Sequence, residues 1–409
     1  MADAFKFVHA SDFHLDKPIS GLTEIPNHLK SQLANAPYAA AERVFDIAIN
    51  EKVDFVLLAG DICDLENGGP RAAAFLMGQL ERLADKDINV YWCGSQTDHP
   101  DRWPNAVELP ENVVVFPTSA IERVVHRRNG RAIAQIAGCG YGSKKRLPSD
   151  FYCEPEGPFA IALSHSDFDP TTLSAQNVQY WALGGRHQRK VLDKTGSVAI
   201  FPGTPQARSP RETGSHSCTV ARVDANGKCR TQEVDVDIVR WCVQKIKIAE
   251  TINLEALKTL LSDRCQQIRS ESPDQTCLVK WEISTAGDFN PELRRDAWHD
   301  DVVGFLRNEF GQEGGVWTDQ LTIDPPNTLP AGWYEEDTIL GDYLRAVGRF
   351  QSDESIKLGF HEHIPSDIQD ENLIGMTQID SAERKRILRR AALIGVEYLG
   401  AGEGFDEVE

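Results

Sequence analysis

The sequence predicts a protein of the α/β class whose strands end in side chains able to bind a metal ion. Short apolar runs typical of buried strands alternate with helical segments through the first hundred residues. Four strand-like runs lead into Asp or His, and two more lead into glycine-rich polar turns. Because ligands gather at the carboxyl ends of strands in α/β sheets, these side chains are expected to share one site.

The predicted elements follow in chain order. An apolar run from Phe5 to Val8 leads into Asp12-Phe13-His14, and an amphipathic helix is predicted from Ala39 to Glu51. Further strands are predicted at Val53–Ala59, Ile88–Cys93, Val113–Phe116, Ile121–His126, Ala132–Ala137, Phe159–Leu163, Trp181–Leu183 and Val198–Phe201, with a helix from Pro70 to Asp85.

Length and composition limit the function classes. A chain of 409 residues is expected to form two or three domains, and 41% hydrophobic and 26% charged residues are typical of a globular protein. A net charge of -19 argues against a protein that coats nucleic acid by itself, although a metal-bearing cleft could still contact it. With scattered cysteines, no apolar run long enough for a membrane span and no evident secretory signal, a cytoplasmic location is expected.

Three regions are predicted: 1–237, a smaller α+β capping domain at 238–326, and a linker with a helical tail at 327–409. The second region holds strands at Val239–Ile248 and Cys277–Ile283, with helices at Asn253–Gln267 and Pro291–Phe310. The tail holds helices at Glu335–Phe350 and Ser381–Leu399. The last helix is basic and amphipathic, which fits either a solvated surface helix or a docking helix for a partner protein.

The side chains at the strand ends form a chemically coherent set. Asp12, His14, Asp61, His165 and His187 supply the carboxylate and imidazole ligands that divalent metals use in hydrolytic sites. Each of them alone could be structural, but their repetition at strand ends predicts a metal centre.

The strand-end segments resemble calcineurin-like metallophosphoesterases, and most closely the DNA-repair nuclease branch of the SbcD and YhaO type. The likeness covers about residues 5–245. It is carried by the segments His9–Asp16, Val53–Asp61, Tyr180–Gly184, Phe201–Gln206 and Arg211–Gly214.

The resemblance implies a four-layer α/β/β/α core, a capping domain that presents DNA, and Mn²⁺ as the favoured metal. It implies Asp12, His14, Asp61 and His187 as the first metal site, with Asp61 bridging, and His165 in the second site. It also implies an SbcC-like or YhaN-like ATPase as partner and a possible homodimer.

Two motifs depart from the family pattern. Where the family has Gly-Asn-His-Asp, this chain has Ser95-Gln96-Thr97-Asp98, so Gln96 keeps a ligand amide while Thr97 replaces the catalytic histidine. A shifted register would instead align Asp98-His99 with Asn-His, and Asp98 is therefore a catalytic candidate together with Asp61.

The other departure is at Gly-His-x-His, which reads Gly184-Gly185-Arg186-His187 here, and Gly185 offers no ligand. Arg186, with Arg189 and Lys190, could bind phosphate or DNA.

Three functions remain open at this point. The chain could be a nuclease weakened by loss of second-metal ligands, with one ion expected rather than two. It could be an inactive pseudo-nuclease that holds the ATPase on DNA, or a small phosphomonoesterase. Loss of a general acid alone typically lowers a rate by roughly 10²–10⁴-fold.

Overall fold

The computed structural model describes residues 3–64, 69–99, 108–142, 147–166, 168, 173, 177–194, 197–248, 252–285, 296–312, 315–324, 329, 331–359 and 380–399. The chain divides into two compact units. The first comprises Met1–Val243, Asp263–Lys280 and Leu306–Gln320, and the second comprises Gln244–Ser262, Trp281–Phe305 and Leu321–Glu409.

The strands are β1 (Phe5–Ala10), β2 (Phe55–Leu58), β3 (Asn89–Cys93), β4 (Val113–Phe116), β5 (Glu122–Arg128), β6 (Arg131–Cys139), β7 (Phe159–His165), β8 (Tyr180–Gly184), β9 (Lys190–Lys194), β10 (Ser197–Phe201), β11 (Ser217–Val223), β12 (Cys229–Asp235), β13 (Val239–Ile248), β14 (Thr276–Thr285) and β15 (Val316–Asp324). The α-helices are α1 (Lys30–Asn50), α2 (Gly69–Ala84), α3 (Leu254–Glu271), α4 (Asp296–Phe310), α5 (Ala331–Glu335), α6 (Ile339–Ser352) and α7 (Ser381–Leu399).

Two six-stranded sheets form the first unit. The first has the order β12-β11-β1-β2-β3-β4, and the second has the order β5-β6-β7-β8-β10-β9. Strands β1 to β4 are mutually parallel, as are β6, β7, β8 and β10, whereas β5, β9, β11 and β12 pair antiparallel with their neighbours. The parallel strands of each sheet therefore end at one common edge.

One hydrophobic cluster joins the facing sides of the two sheets. Phe7 of β1 stacks on Phe55 at 5.1 Å between ring centroids and meets Tyr180 of the second sheet edge-on at 4.9 Å. Alternate residues of the same strands, such as Val8 and Val56, pack outward against α1 and α2. This explains why the strands appear in the sequence as continuous apolar runs, since both of their faces are buried.

The outer face of the second sheet carries its own buried cluster, in which Trp181 packs against Phe151 and Phe168. Phe151 belongs to a short 3₁₀ helix at Pro148–Phe151. The predicted α/β class with two stacked sheets is confirmed. The 3₁₀ turn at Pro148–Phe151 packs on this face.

The segment after β12 forms a three-stranded sheet of order β13-β14-β15. The strands predicted at Val239–Ile248 and Cys277–Ile283 lie in β13 and β14, and α3 covers the predicted Asn253–Gln267 helix with shifted ends. Of the helix predicted at Pro291–Phe310, Asp296–Phe310 is helical, and residues 286–295 lie outside the described chain. Residues 263–280 and 306–320 belong to the first compact unit, and the predicted boundaries at 237 and 326 stay predictions.

The helices near the end of the second unit pack on one another. Tyr343 of α6 donates its hydroxyl to the Ala391 carbonyl of α7 at 2.9 Å. The helix predicted at Glu335–Phe350 is interrupted, because Thr338 caps a new helix by accepting from the Gly341 amide. The Ser381–Leu399 prediction is confirmed, and its proposed docking role stays a prediction. Among the described residues, no helix combines the length and apolar character needed to cross a membrane.

Candidate metal centre

The metal-binding candidates lie where parallel strands of both sheets end. The loop after β1 is tied to the loop after β2, because the Asp12 amide donates to the Gly60 carbonyl at 2.9 Å. The His14 amide donates to the Asp61 carbonyl at 3.0 Å in the same way. The last residue of β7 is His165, and β8 leads into Gly185 to His187. The convergence predicted from the sequence is thus present in the fold.

The structure brings these side chains into two groups that share one carboxylate. Asp12, His14 and His187 form one group, and Asp12, Asp61 and His165 form the other, with ligand atoms within 4.8 Å of one another in each. The sequence predicted Asp61 as the shared ligand. Asp61 does lie between the groups, since its Oδ2 is 3.6 Å from Nε2 of both His14 and His165.

Three of these ligands have backbone conformations that non-glycine residues rarely adopt. Asp12, His14 and Asp61 have φ values of 57°, 48° and 54°. Left-handed backbone costs about 1–3 kcal/mol per non-glycine residue and is concentrated at functional sites. Such strain at three candidate ligands supports a functional role for the loops after β1 and β2.

Asp12 is fully buried and is held by donors from two sides. The Ser11 hydroxyl donates to Oδ2, and the Gly185 amide lies 3.1 and 3.2 Å from the two carboxylate oxygens. Burial raises the pKa of Asp12 to about 6, against the opposing effect of the His165 charge and these hydrogen bonds. A divalent cation at this position would offset the burial cost and favour the ionised form.

Asp61 is oriented by two hydroxyl groups from the loop after β3. Ser95 and Thr97 both donate to its Oδ1 atom, Thr97 at 2.6 Å. This arrangement leaves Oδ2 directed at the two histidines. The sequence identified Thr97 only as a lost catalytic histidine, so its role in orienting Asp61 was missed.

Hydrogen bonds also set which nitrogen of two histidines can bind a metal. Nδ1 of His165 lies 2.9 Å from the Ala59 carbonyl, and Nδ1 of His187 lies 2.7 Å from Oε1 of Glu212. Both contacts require a proton on Nδ1, which leaves the Nε2 lone pair for a metal. Burial alone would raise the pKa of Glu212, but hydrogen bonds from His187 and Arg208 lower it to about 2.

The third histidine, His14, provides the test of whether these residues fit a metal. Its Nε2 atom is buried and has no hydrogen-bond partner among the described residues. Burial, reinforced by the Arg208 charge, lowers the pKa of His14 to about 3, so the ring is neutral at physiological pH. Unpartnered buried polar atoms are rare, and a neutral imidazole beside two carboxylates is a suitable donor for a divalent transition metal. The residues therefore fit such an ion.

Two predicted features of the second site can now be located. Gly185 has a φ of 95°, and a Cβ atom there would lie 3.2 Å from Nε2 of His165. Its backbone therefore favours glycine, and its contribution is the amide that holds Asp12. Gln96, predicted as a second-site ligand, is exposed, whereas its neighbour Thr97 contacts Asp61.

Asp98 has a structural environment that does not support the catalytic role predicted for it. It is fully buried, and its oxygens accept from the backbone amides of Asp61, Ile62 and Ser95. The indole of Trp92 donates to Oδ2 at 2.9 Å. A carboxylate engaged by so many donors positions the loops after β2 and β3. His99, its partner in the shifted register, is partly buried.

An open cleft of about 660 Å³ adjoins the site at His187. The predicted phosphate-binding side chains of Arg186, Arg189 and Lys190 line this cleft. The complete lining is Gly185, Arg186, His187, Gln188, Arg189, Lys190, Ser209, Arg211 and Glu212. Arg189 is engaged by Glu233 at 3.1 Å and by the Thr219 hydroxyl at 2.6 Å. Arg186 lies over the Phe201 ring, and Lys190 is exposed.

Two charged residues of the site were missed as functional candidates. Glu212 and Arg208 follow β10 and surround His187, with Nη2 of Arg208 at 3.1 and 3.3 Å from the two ring nitrogens. Glu212 lay within a segment that carried the family resemblance. Nothing in its local spacing showed which side chain it would contact, because His187 is 25 positions away.

Comparisons with known proteins agree with this geometry. Residues 5–196 match the family model "Calcineurin-like phosphoesterase". The chain is 29% identical over 358 residues to the "Uncharacterized metallophosphoesterase YhaO" of Bacillus subtilis, covering 84% of this chain and 87% of that protein. It is 28% identical over 109 residues to the "DNA double-strand break repair protein Mre11" of Saccharolobus solfataricus, covering 27% and 26% of the two chains.

Among solved structures, a dimetal phosphatase from Danio rerio is 12% identical and covers 57% of this chain and 98% of its own, with a TM-score of 0.34. A Vacuolar Protein Sorting 29 structure from Cryptosporidium parvum is 17% identical, covers 57% and 99%, and has a TM-score of 0.28. Likenesses at these scores carry no argument about activity. The family match and the metal-ligand geometry together show that this chain contains a calcineurin-like metallophosphoesterase domain.

Proposed function

We propose that this protein hydrolyses phosphodiester bonds at DNA ends with a divalent metal, Mn²⁺ being the first candidate. The observation that carries the proposal is the pair of ligand groups sharing Asp12 at the edge of a cation-lined cleft. Hydrolysis of phosphate esters by two adjacent carboxylate- and histidine-bound ions is an established strategy. The likeness to Mre11, named as a DNA break repair protein, supports DNA as the substrate.

The cleft supports a phosphate-rich substrate. Arg186, Lys190 and Arg211 line it beside His187, and arginine is suited to bidentate contact with phosphate oxygens. The local charge is thus opposite in sign to the net charge of -19. Such a cleft would attract the phosphates of DNA locally without making the whole protein a general nucleic-acid binder.

In this proposal the metal ion and the side chains of the site have different roles. A divalent ion, when bound, would polarise a phosphoryl oxygen and lower the pKa of water. The chain holds Asp61 with Ser95 and Thr97, and holds His187 with Glu212. The Thr97 hydroxyl is committed to Asp61 and cannot replace an imidazole as acid for the leaving group. A rate roughly 10²–10⁴-fold below that of an enzyme with this acid is expected.

A second candidate is a DNA-binding subunit that does not cleave. It is favoured by the backbone at Gly185, which disfavours a histidine ligand at that position, and by the replacement of the catalytic histidine by Thr97. In this case metal and phosphate binding would survive and hydrolysis would be absent. A small phosphomonoesterase is the third possibility.

The deciding experiment is a nuclease assay with Mn²⁺ on linear duplex DNA, with a phosphomonoester substrate in parallel. Activity on DNA that Asp61→Asn abolishes supports the first proposal. No activity in the native chain, but DNA cleavage after Thr97→His, supports the non-cleaving subunit. Activity confined to the phosphomonoester contradicts both. Thr97→His is preferred to a change at Gly185, because the backbone there disfavours any side chain.

We also propose an SbcC-like or YhaN-like coiled-coil ATPase as partner, in contact with α7. Ile394 and Tyr398 of α7 are 44% and 77% exposed, which supports a contact surface on this helix. Co-expression with the ATPase of this type from the same organism is expected to give a complex that Ile394→Asp with Tyr398→Asp disrupts. A complex unaffected by both changes would place the contact elsewhere.

A further inference from the structure

The guanidinium of Arg208 lies against the metal-ligand group of Asp12, His14 and His187. Its Nη2 atom is 3.1 Å from Nδ1 and 3.3 Å from Nε2 of His187, so it lies over the face of the imidazole ring. It is also 3.4 Å from Oε1 of Glu212. The side chain is only 11% exposed, so this position is built into the fold.

This position sets Arg208 against a metal ion. An ion bound to Nε2 of His187 would lie beside this guanidinium, which cannot give up its charge. Two positive charges a few ångströms apart with little intervening water also repel strongly. A metal bound in this group would therefore lie close to the charge of Arg208 and be held less tightly because of it.

An anionic oxygen resolves the conflict. Nε of Arg208 is buried without a hydrogen-bond partner among the described residues, so a donor next to Nη2 is unused. Nε–H and Nη2–H lie on one edge of a guanidinium and together match two oxygens of a phosphate. A phosphate group between the ion and this edge would satisfy both cations.

We propose that Arg208 couples metal binding to phosphate binding, so that the site holds its metal weakly alone and tightly when a phosphate ester is present. The inference rests on the proposed function only in taking a phosphate ester as the substrate. In this proposal Arg208 binds the phosphate directly and acts on the metal ion only through its charge. Because coupling is reciprocal, the metal must strengthen phosphate binding by the same factor.

The test measures Mn²⁺ affinity of the purified full chain with and without saturating inorganic phosphate. Free Mn²⁺ is counted by electron paramagnetic resonance, with a protein-free blank to correct for Mn²⁺–phosphate complexes. Couplings between sites typically amount to roughly 5–150-fold. We expect phosphate to tighten Mn²⁺ binding by roughly tenfold in the native chain, within that range.

Variants separate charge from structure. Arg208→Gln removes the charge and should tighten Mn²⁺ binding without phosphate, while the effect of phosphate falls to less than about twofold, below the usual range of coupling. Arg208→Lys keeps the charge but not the paired donors, and should keep weak Mn²⁺ binding with reduced coupling. Arg127→Gln, an exposed arginine on β5, is the matched control and should behave as the native chain.

Several results would overturn the inference. The first is an equal Mn²⁺ affinity with and without phosphate in the native chain. The second is a coupling in Arg208→Gln as large as in the native chain. The third is a coupling in Arg208→Lys as large as in the native chain. Thermal unfolding of each variant checks that it is folded, and Arg208→Lys provides the measurement if Arg208→Gln is not. DNA cleavage without coupling would refute only this inference, and coupling without cleavage would refute only the proposed hydrolysis.

Discussion

The Nδ1 atom of His187 lies 2.7 Å from Oε1 of Glu212, which fixes the imidazole with its other nitrogen towards Asp12 and His14. A carboxylate behind a metal-binding histidine sets its tautomer and raises its basicity. The pairing joins the turn after β8 to the turn after β10 and orders one end of the candidate metal centre.

Glu212→Ala is expected to weaken Mn²⁺ binding by about 10–100-fold, because the ring of His187 loses the partner that orients it. Glu212→Gln keeps an acceptor oxygen and should lose less. The affinity is measured by calorimetric titration, with Glu81→Ala on the exposed side of α2 as control. Equal affinity in Glu212→Ala and the native chain would show that Glu212 does not support a metal ligand.

Asp61 and Asp98 should respond to substitution in opposite ways. Asp98→Asn replaces an acceptor of three backbone amides and an indole, and should lower the free energy of unfolding by about 1–3 kcal/mol. Asp61→Asn should leave the stability of the metal-free protein nearly unchanged and remove its stabilisation by Mn²⁺. Urea unfolding with and without Mn²⁺ measures both quantities. A stable Asp98→Asn protein that lacks only DNA hydrolysis would restore Asp98 as a catalytic residue.

Gly184→Ala should destabilise the protein and disturb His165. A Cβ atom at Gly184 would lie 1.8 Å from the Ala59 carbonyl oxygen, which is the partner of His165 Nδ1. Overpacking of this kind costs about 1–3 kcal/mol or more. Gly78→Ala in α2 is the matched control, since a Cβ atom there meets no atom within 4 Å. The control should be neutral or stabilised by up to about 1 kcal/mol, as measured by thermal unfolding.

The fully buried imidazole of His9 should make the metal-free protein sensitive to acid. Burial, together with the Arg189 charge, lowers the pKa of His9 from 6.5 to about 3. Between these values the unfolded chain binds a proton that the folded chain does not, so stability rises with pH in this window. The contribution of neutral His9 to the free energy of unfolding is complete above pH 6.5 and is lost as the pH falls towards 3.

The measurement is urea unfolding at several pH values for the native chain and His9→Gln, which cannot titrate. Each unit of pKa shift corresponds to about 1.4 kcal/mol between the protonation states. The variant is expected to show a shallower loss of stability between pH 6.5 and 4 than the native chain. If the native chain and His9→Gln lose stability equally as the pH falls, His9 takes up its proton in the folded protein as readily as in the unfolded chain.

The sequence by itself determined the α/β class, most of the strands and which strand ends carry Asp and His, whereas β9, β11, β12 and β15 were not predicted. Local patterns suffice for this, because a strand buried on both faces must be continuously apolar, as Phe55–Leu58 is, and must end where polar residues begin. The likeness of short segments such as His9–Asp16 to one family then identified the chemistry.

Only the tertiary structure decided which carboxylate both ligand groups share and which side chains support them. Asp98 and Asp61 both follow a strand in the sequence. In the fold, the carboxylate of Asp98 accepts hydrogen bonds from backbone amides, whereas that of Asp61 faces two histidines. The placement of Arg208 and Glu212 around His187 likewise depends on how the turns after β8 and β10 approach each other. Contacts of this kind are set by the packing of two sheets, and no spacing along one strand encodes them.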